Sequence, residues 1–272
     1  MEFRDPFAQS TQAYGQAGAV ARDEGLRSYM LRIYNYMASA LALTGITAMF
    51  AANSPAVLSA LYNVQDGHAV GMSGLGWLVL LAPLGLVMWL GMGLNRMSTT
   101  TAQAIYWGYS VLMGLSLSSI FLLYTGESIA RTFFVTAGTF GAMSLYGYTT
   151  KRDLTAMGSF LMMGLIGLIV ASVVNMFLHS SGLNFAVSVI GVGIFVGLTA
   201  WDTQKLKGLY YMYGGDDSYQ AGDVGRSLAA PFRGTLTGGD MLGKVTIMGA
   251  LTLYMDFINI FIYLLRFMGD RR

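Results

Sequence analysis

Only seven formal charges stand between Ile33 and Trp201: Asp66, Arg96, Glu127, Arg131, Lys151, Arg152 and Asp153. The uncharged stretches between these marks are each long enough for a helix of about 20 residues to cross a hydrocarbon core about 30 Å thick. Inside a bilayer the backbone must satisfy its own hydrogen bonds, so these stretches are expected to be helices. The other charges gather at 1–32, at 202–244 and in the last seven residues, with Asp256 alone between them.

Charged residues make up 11% of the 272 and hydrophobic ones 54%, whereas a soluble domain carries roughly a quarter charged residues. An all-α integral membrane protein is therefore expected. A soluble enzyme is excluded, and so is an outer-membrane barrel, whose strands would alternate in polarity. The absence of cysteine removes disulfides, thiolate catalysis and cysteine-ligated metal sites. A net charge of +2, without a dense basic cluster, offers nothing to nucleic acid.

The first span is read at 29–52, closed by Asn53-Ser54-Pro55. A loop containing Gly, Asn and Asp follows, then spans at 75–94 (with Pro83 inside), 102–124 and 132–148. The uncharged run from Leu154 to Trp201 is too long for one crossing, and His179-Ser180-Ser181-Gly182 divides it into 154–178 and 183–201. The last span lies between Lys244 and Arg266. Seven spans result, in a membrane domain at 29–268 that includes a mobile cytoplasmic loop at 214–243. A tail at 1–28 precedes it and a short tail at 269–272 follows. Residues 1–28 mix acids and bases without an apolar core, so the first span is expected to stay in place as an anchor.

Trp77, Trp89, Trp107 and Trp201 each fall near a span end, as an aromatic belt requires. A cytoplasmic N-terminus puts twelve Lys and Arg inside and four outside, in keeping with the positive-inside rule. Three of those four, Arg266, Arg271 and Arg272, stand at the C-terminal end, and a re-entrant last segment would return them to the positive side. Gly193-Ile-Phe-Val-Gly197 and Gly138-Thr-Phe-Gly141 are read as close helix–helix contacts.

Asp256 is the outlier. It is the twelfth of 21 residues between Lys244 and Arg266, near the bilayer midplane, where a charged carboxylate costs on the order of 3 kcal/mol. An ionisable residue there points to a proton or cation site. Asn259 lies one turn on and could hydrogen-bond the carboxylate. Asp202 alone reads as an ordinary interfacial carboxylate, about 29 Å along its helix from Leu183. Arg96 reads as a positive-inside anchor and Asn175 as an interhelical polar contact. Glu127 and Asp66 fall in outer loops, and two lone histidines, His68 and His179, are weak grounds for a metal. The acidic residues of 214–243 lack the alternating ligands and closing Glu of an EF-hand.

The segment 251–266, Leu-Thr-Leu-Tyr-Met-Asp-Phe-Ile-Asn-Ile-Phe-Ile-Tyr-Leu-Leu-Arg, resembles the signature last helix of the Bax inhibitor-1 (transmembrane Bax inhibitor motif) family. Trp201-Asp202-Thr203-Gln204-Lys205 is similar to that family's acidic motif at the end of the sixth helix. Gly114-Leu-Ser-Leu-Ser118 with Tyr124, and Tyr148-Thr-Thr-Lys151-Arg-Asp153-Leu154, are similar to its bacterial members. The likeness runs from about Tyr29 to Met268. It implies a seven-helix bundle with the last helix central, in a bacterial inner membrane. It also implies a pH-sensitive calcium leak in which Asp202 and Asp256 form a proton-sharing pair, with Arg96 as a possible latch to one of them. The segment 214–243 is longer than the connection usual in bacterial members.

The chemistry of such a pair follows from its charges. Two carboxylates in a poorly solvated site cannot both ionise cheaply, and their protons leave in two macroscopic steps belonging to the pair. One shared proton makes a short, charge-assisted hydrogen bond that latches two helices. Losing it brings repulsion and gaining a second removes the charge, so either change biases packing. Ionised, the same oxygens suit a hard cation such as calcium, though two carboxylates are too few ligands for a tight site. Transient coordination of a permeating calcium ion at Asp202 and Asp256 is expected, with no resident cofactor. The resemblance also allows an alternative, a membrane-embedded interaction protein modulating a membrane-bound AAA protease. An enzyme is not expected: the histidines are badly placed for a metal, and Leu253-Tyr-Met-Asp256 is no Gly-x-Gly-Asp motif of an aspartyl intramembrane protease.

Overall fold

The computed structural model of the chain describes residues 6–65, 68–94, 96–213 and 238–272. Asp66 and residues 214–237, most of the loop expected at 214–243, lie outside the described residues. The chain forms α1 (Pro6–Asn53), α2 (Pro55–Leu61), β1 (Tyr62–Gln65), β2 (His68–Met72), α3 (Gly74–Gly93), α4 (Thr99–Ser116), α5 (Ser118–Leu123), α6 (Gly126–Thr149), α7 (Thr155–Leu178), α8 (Ser181–Tyr213) and α9 (Gly238–Met268).

Each break has a local cause. Ser73, Ser98 and Thr125 cap α3, α4 and α6 by accepting from the N–H of Gly76, Thr101 and Ser128, which satisfies donors the helix leaves free. α7 stops where His179 turns left-handed at φ 50° and its N–H bonds to Asn175 O at 2.8 Å. The span expected at 102–124 is interrupted at Leu117 (ψ 0°), which separates α4 from α5. The loop expected after the first span contains α2 and an antiparallel β1–β2 ribbon instead, irregular between Asn63 and Val64.

Among the described residues, six helices are long and apolar enough to cross a membrane: Asp23–Asn53, Gly74–Gly93, Thr99–Leu123, Thr155–Leu178, Ser181–Met212 and Met241–Met268. The remaining expected span, 132–148, falls in α6, whose 24 residues reach about 36 Å but are too polar to join the six. Its polarity is turned inward. Ser128, Thr132, Thr136, Phe140, Ser144 and Gly147 form one buried stripe, while Phe134 (72% exposed) and Leu145 (64%) face out. Such an arrangement suits a helix with lipid outside and hydroxyl partners inside.

α9 packs against α1, α4, α6 and α8. In its most apolar stretch 72% of the residues are buried, against 6% in α7. It runs unbroken for 31 residues, about 46 Å, so the last segment does not turn back. The tail beyond it is fastened at the start of α6. Arg131 pairs with Asp270 at 2.8 Å, Thr125 N donates to Asp270 O at 3.1 Å and Arg272 N to Leu123 O at 3.0 Å. Asp270 N donates to Ser128 Oγ at 2.9 Å.

The glycine patterns do not behave as expected. Gly138, Gly141 and Gly193 have open space where a Cβ would stand, and of the four only Gly197 meets a neighbour, Leu161. Close backbone approaches between the long helices occur at other glycines. A Cβ on Gly147 would stand 2.2 Å from Ala200 O, and one on Gly114 would stand 2.6 Å from Thr44 O.

Candidate functional site: a buried aspartate pair

α8 and α9 lie antiparallel, and their register follows from side-chain contacts along the line where they meet. Phe185 packs on Phe267 with ring centroids 5.5 Å apart, and Tyr263 stacks on Phe195 at 5.9 Å. Tyr263 also lies over Gly191, and Leu206 over Gly249. Between these contacts the register sets Asp202 opposite Asp256, and the two carboxyl groups interact side chain to side chain. Asp202 is 6% exposed and Asp256 4%. Hydropathy places the two acids at different depths, edge against midplane. The difference disappears because α8 continues past Trp201 to Tyr213, so Asp202 lies well inside its helix.

Each residue of the α8 motif has its own neighbour. Trp201 covers Gly158 of α7. Thr203 bonds to Ser144 Oγ of α6 at 3.0 Å, and Ser144 in turn to Tyr34 OH of α1. Gln204 grips the α6–α7 turn at both ends of its amide: Nε2 donates to Arg152 O at 2.7 Å, and Oε1 accepts from Leu154 N at 2.9 Å. Lys205 Nζ stands 3.7 Å from Asp202 Oδ1 and 4.9 Å from the centre of the Trp201 ring. These contacts fix the turn of α8 that carries Asp202, and of the four residues it is Lys205 that stands against the Asp202 carboxyl.

Asp256 is less provided for. Its Oδ2 is buried without a hydrogen-bond partner among the described residues, and the charges that act on it are Asp202 and Lys205. Phe257 beside it packs on Phe133 and Phe140 of α6 at 5.5 and 5.6 Å. The opposite face of α9 carries Tyr254, fully buried, whose hydroxyl bonds to Thr44 Oγ1 at 2.8 Å, and Thr44 donates to Ser110 O at 2.9 Å. Tyr254 also meets Tyr109 edge to face at 5.5 Å.

Several expected participants stand elsewhere. Arg96 is exposed beyond α3; the cation at the pair is Lys205, signalled only by its i,i+3 spacing from Asp202 on a helix. Asn259 spends its Nδ2 on Met255 O at 2.8 Å, within its own helix. Asn175 Oδ1 accepts from Ser180 N at 3.1 Å, closing α7 instead of joining another helix. Glu127 sits exposed in the first turn of α6, and His179 is exposed at the α7–α8 turn. Of His68 only the backbone is described, in β2. Among the described residues no cluster of three His, Cys, Asp or Glu side chains exists to hold a resident metal. A cation at the pair would need further oxygens from backbone or water.

In the turn between α6 and α7, the Asp153 carboxyl is held below its ordinary range because Thr155 donates to it through side chain and backbone. Thr155 N reaches Asp153 Oδ1 at 2.9 Å, which caps the start of α7.

Known proteins share this arrangement's sequence over nearly the whole chain. The family described as "Inhibitor of apoptosis-promoting Bax1" matches residues 26–272. An uncharacterized protein of Rickettsia prowazekii is 50% identical over 250 residues, covering 92% of each chain. Another, of Caulobacter vibrioides, is 45% identical across 100% of this chain and 99% of its own. The inner membrane protein YbhL of Escherichia coli K12 is 46% identical over 248 residues, 91% of this chain and 94% of its own. With a family match of this extent and relatives at this identity, the chain belongs to the Bax inhibitor-1 family of membrane proteins.

Proposed function

We propose that this protein is a pH-sensitive calcium leak of a bacterial inner membrane, gated by a proton-sharing pair formed by Asp202 and Asp256. The observation that carries the reading is the pair itself: two carboxyl groups from different helices, interacting with each other, at 6% and 4% exposure. Buried carboxylates without a matching set of cations do not both stay ionised, and here the described cation is Lys205 alone. A proton between the carboxyls joins α8 to α9; its loss sets two negative charges against each other and opens oxygens to a hard cation.

In this reading α6 is the seventh crossing, the N-terminus is cytoplasmic, and the 12-to-4 distribution of Lys and Arg supports that orientation. The chain lacks cysteine, so orientation can be tested with single cysteines. A thiol at Glu24 is expected to react with an impermeant reagent from the cytoplasmic side and one at Glu127 from the other. Gating is tested by calcium flux into dye-loaded liposomes across pH 5 to 8. Asp202→Asn and Asp256→Asn are each expected to change the pH profile. Profiles like the wild type in both variants overturn the reading.

A further inference from the structure

α1 and α6 flank a groove of about 400 Å³ that opens sideways on the bundle. Its walls are set by helical spacing: Arg27, Leu31 and Tyr34 on α1, and Ser144, Leu145 and Tyr148 on α6. Leu31 is 50% exposed and Leu145 64%, so the mouth of the groove is apolar. In a membrane protein that mouth meets acyl chains. The floor is polar, with the Tyr34 hydroxyl bonded to Ser144 Oγ.

One end of the groove is cationic. Arg27 is exposed there, without a hydrogen bond or ion pair among the described residues, although the exposed acids Asp23 and Glu24 precede it on α1. Lys207, outside the lining itself, stands behind Tyr148 at this end, its Nζ donating to Tyr148 O at 3.1 Å and lying 5.3 Å from the centre of the Tyr148 ring. This is also the end of the bundle that carries Lys151, Arg152 and Lys205. A basic pocket between membrane helices, apolar along its length and cationic at the headgroup level, matches a lipid with a negatively charged head.

We infer that the α1–α6 groove binds one anionic phospholipid, its phosphate on Arg27, with Lys207 adding positive charge behind Tyr148, and an acyl chain along Leu31 and Leu145. The lipid supplies the packing that α1 and α6 do not give each other. It also covers the Tyr34 hydroxyl, the outer member of the chain Tyr34–Ser144–Thr203, whose inner member adjoins Asp202.

The test uses the full chain in detergent, offered phosphatidylglycerol or phosphatidylcholine, with retained lipid counted by native mass spectrometry. Phosphatidylglycerol is expected to be kept in preference. Arg27→Gln should cut that preference about fivefold, the effect of one basic residue near an anionic head, and Arg27→Lys should restore most of it. Leu145→Trp, which fills the mouth of the groove, should lower retention of both lipids. Leu84→Trp, at a 65% exposed position of α3, should leave retention unchanged. Wild-type preference in Arg27→Gln, or wild-type retention in Leu145→Trp, overturns the inference. Calcium flux takes no part in this readout, so failure of the leak proposal would leave the outcome standing.

Discussion

α7 and α9 are both apolar helices long enough to span a bilayer, and they stand at opposite extremes of burial. α7 exposes Phe160, Met163, Ile166, Ile169 and Phe177, each by more than half, and its inward contacts come from a narrow stripe of Gly158, Leu161, Gly164 and Leu168. α9 is buried on all but one narrow stripe, Met248, Thr252, Met255 and Asn259, and carries Asp256, Tyr254 and the buried Lys244. In water the more apolar helix would be the inner one. In a bilayer, lipid solvates apolar side chains as well as the protein interior does, and it is polar groups that need protein partners. Of the two, the helix that carries ionisable side chains is therefore the inner one.

Matched substitutions on the two helices and their neighbours test this contrast, and unfolding in detergent or bicelles reads each of them. The largest effect is expected from a glycine pair. Gly147→Leu must push α6 off the Ala200 backbone and should cost about 3 kcal/mol or more. Gly167→Leu, on α7 with open space around it, should be neutral or slightly stabilising, because Leu favours a helix over Gly. Equal costs would break the comparison. Next come Leu253→Ala, at 0% exposure, and Ile169→Ala, at 55%, with about 2 kcal/mol expected for the first and under about 0.5 for the second.

Smaller effects sharpen the contrast. Tyr254→Phe removes the hydroxyl bonded to Thr44 and should cost about 0.6 kcal/mol, the mean for a hydrogen bond between membrane helices. The smallest effect is expected at the start of α7. The Asp153 carboxyl sits below its ordinary range, so the stability it contributes is present above the unfolded value near 4 and lost as pH falls through the folded one. The group is almost fully exposed, which keeps the effect to a few tenths of a kcal/mol. Asp153→Asn should flatten melting temperature against pH below about 4, and an unchanged acid slope would refute the cap.

Much of this could be read from residue order. The spans at 75–94 and 154–178 fall within a residue or so of α3 and α7, because uncharged length is a direct measure of what a bilayer admits. The extension of α8 to Tyr213 was also legible, from the helical residues after Trp201 and the Gly214-Gly215 that follows. The paired aspartates came from family likeness, since composition alone makes Asp202 an ordinary interfacial acid. What spacing could not supply was which polar group answers which. Asn259 could turn to Asp256 or to its own backbone, and it takes Met255 O. The β1–β2 ribbon did carry a signal, an Asp66-Gly67 step of the kind that favours hairpins, but a short loop between apolar spans hides it. Of the two glycine patterns only Gly197 meets a neighbouring helix, at Leu161, and Gly138, Gly141 and Gly193 do not, because a small residue permits close approach without causing it.

The two faces of α9 have a mechanical consequence. Tyr254 fastens one face to α1 and α4, and Asp256 meets α8, which Gln204 and Trp201 bind to α6 and α7. The helices around α9 thus fall into two groups, one bolted to it by neutral hydroxyls and the other hooked to it by a pair of acids, with the Tyr34–Ser144 bond joining the groups directly. Under the proposed function the hook is the fastening that acidity works on, which puts the expected swing in the α6–α8 group, against the tether that Tyr34 and Ser144 make to α1.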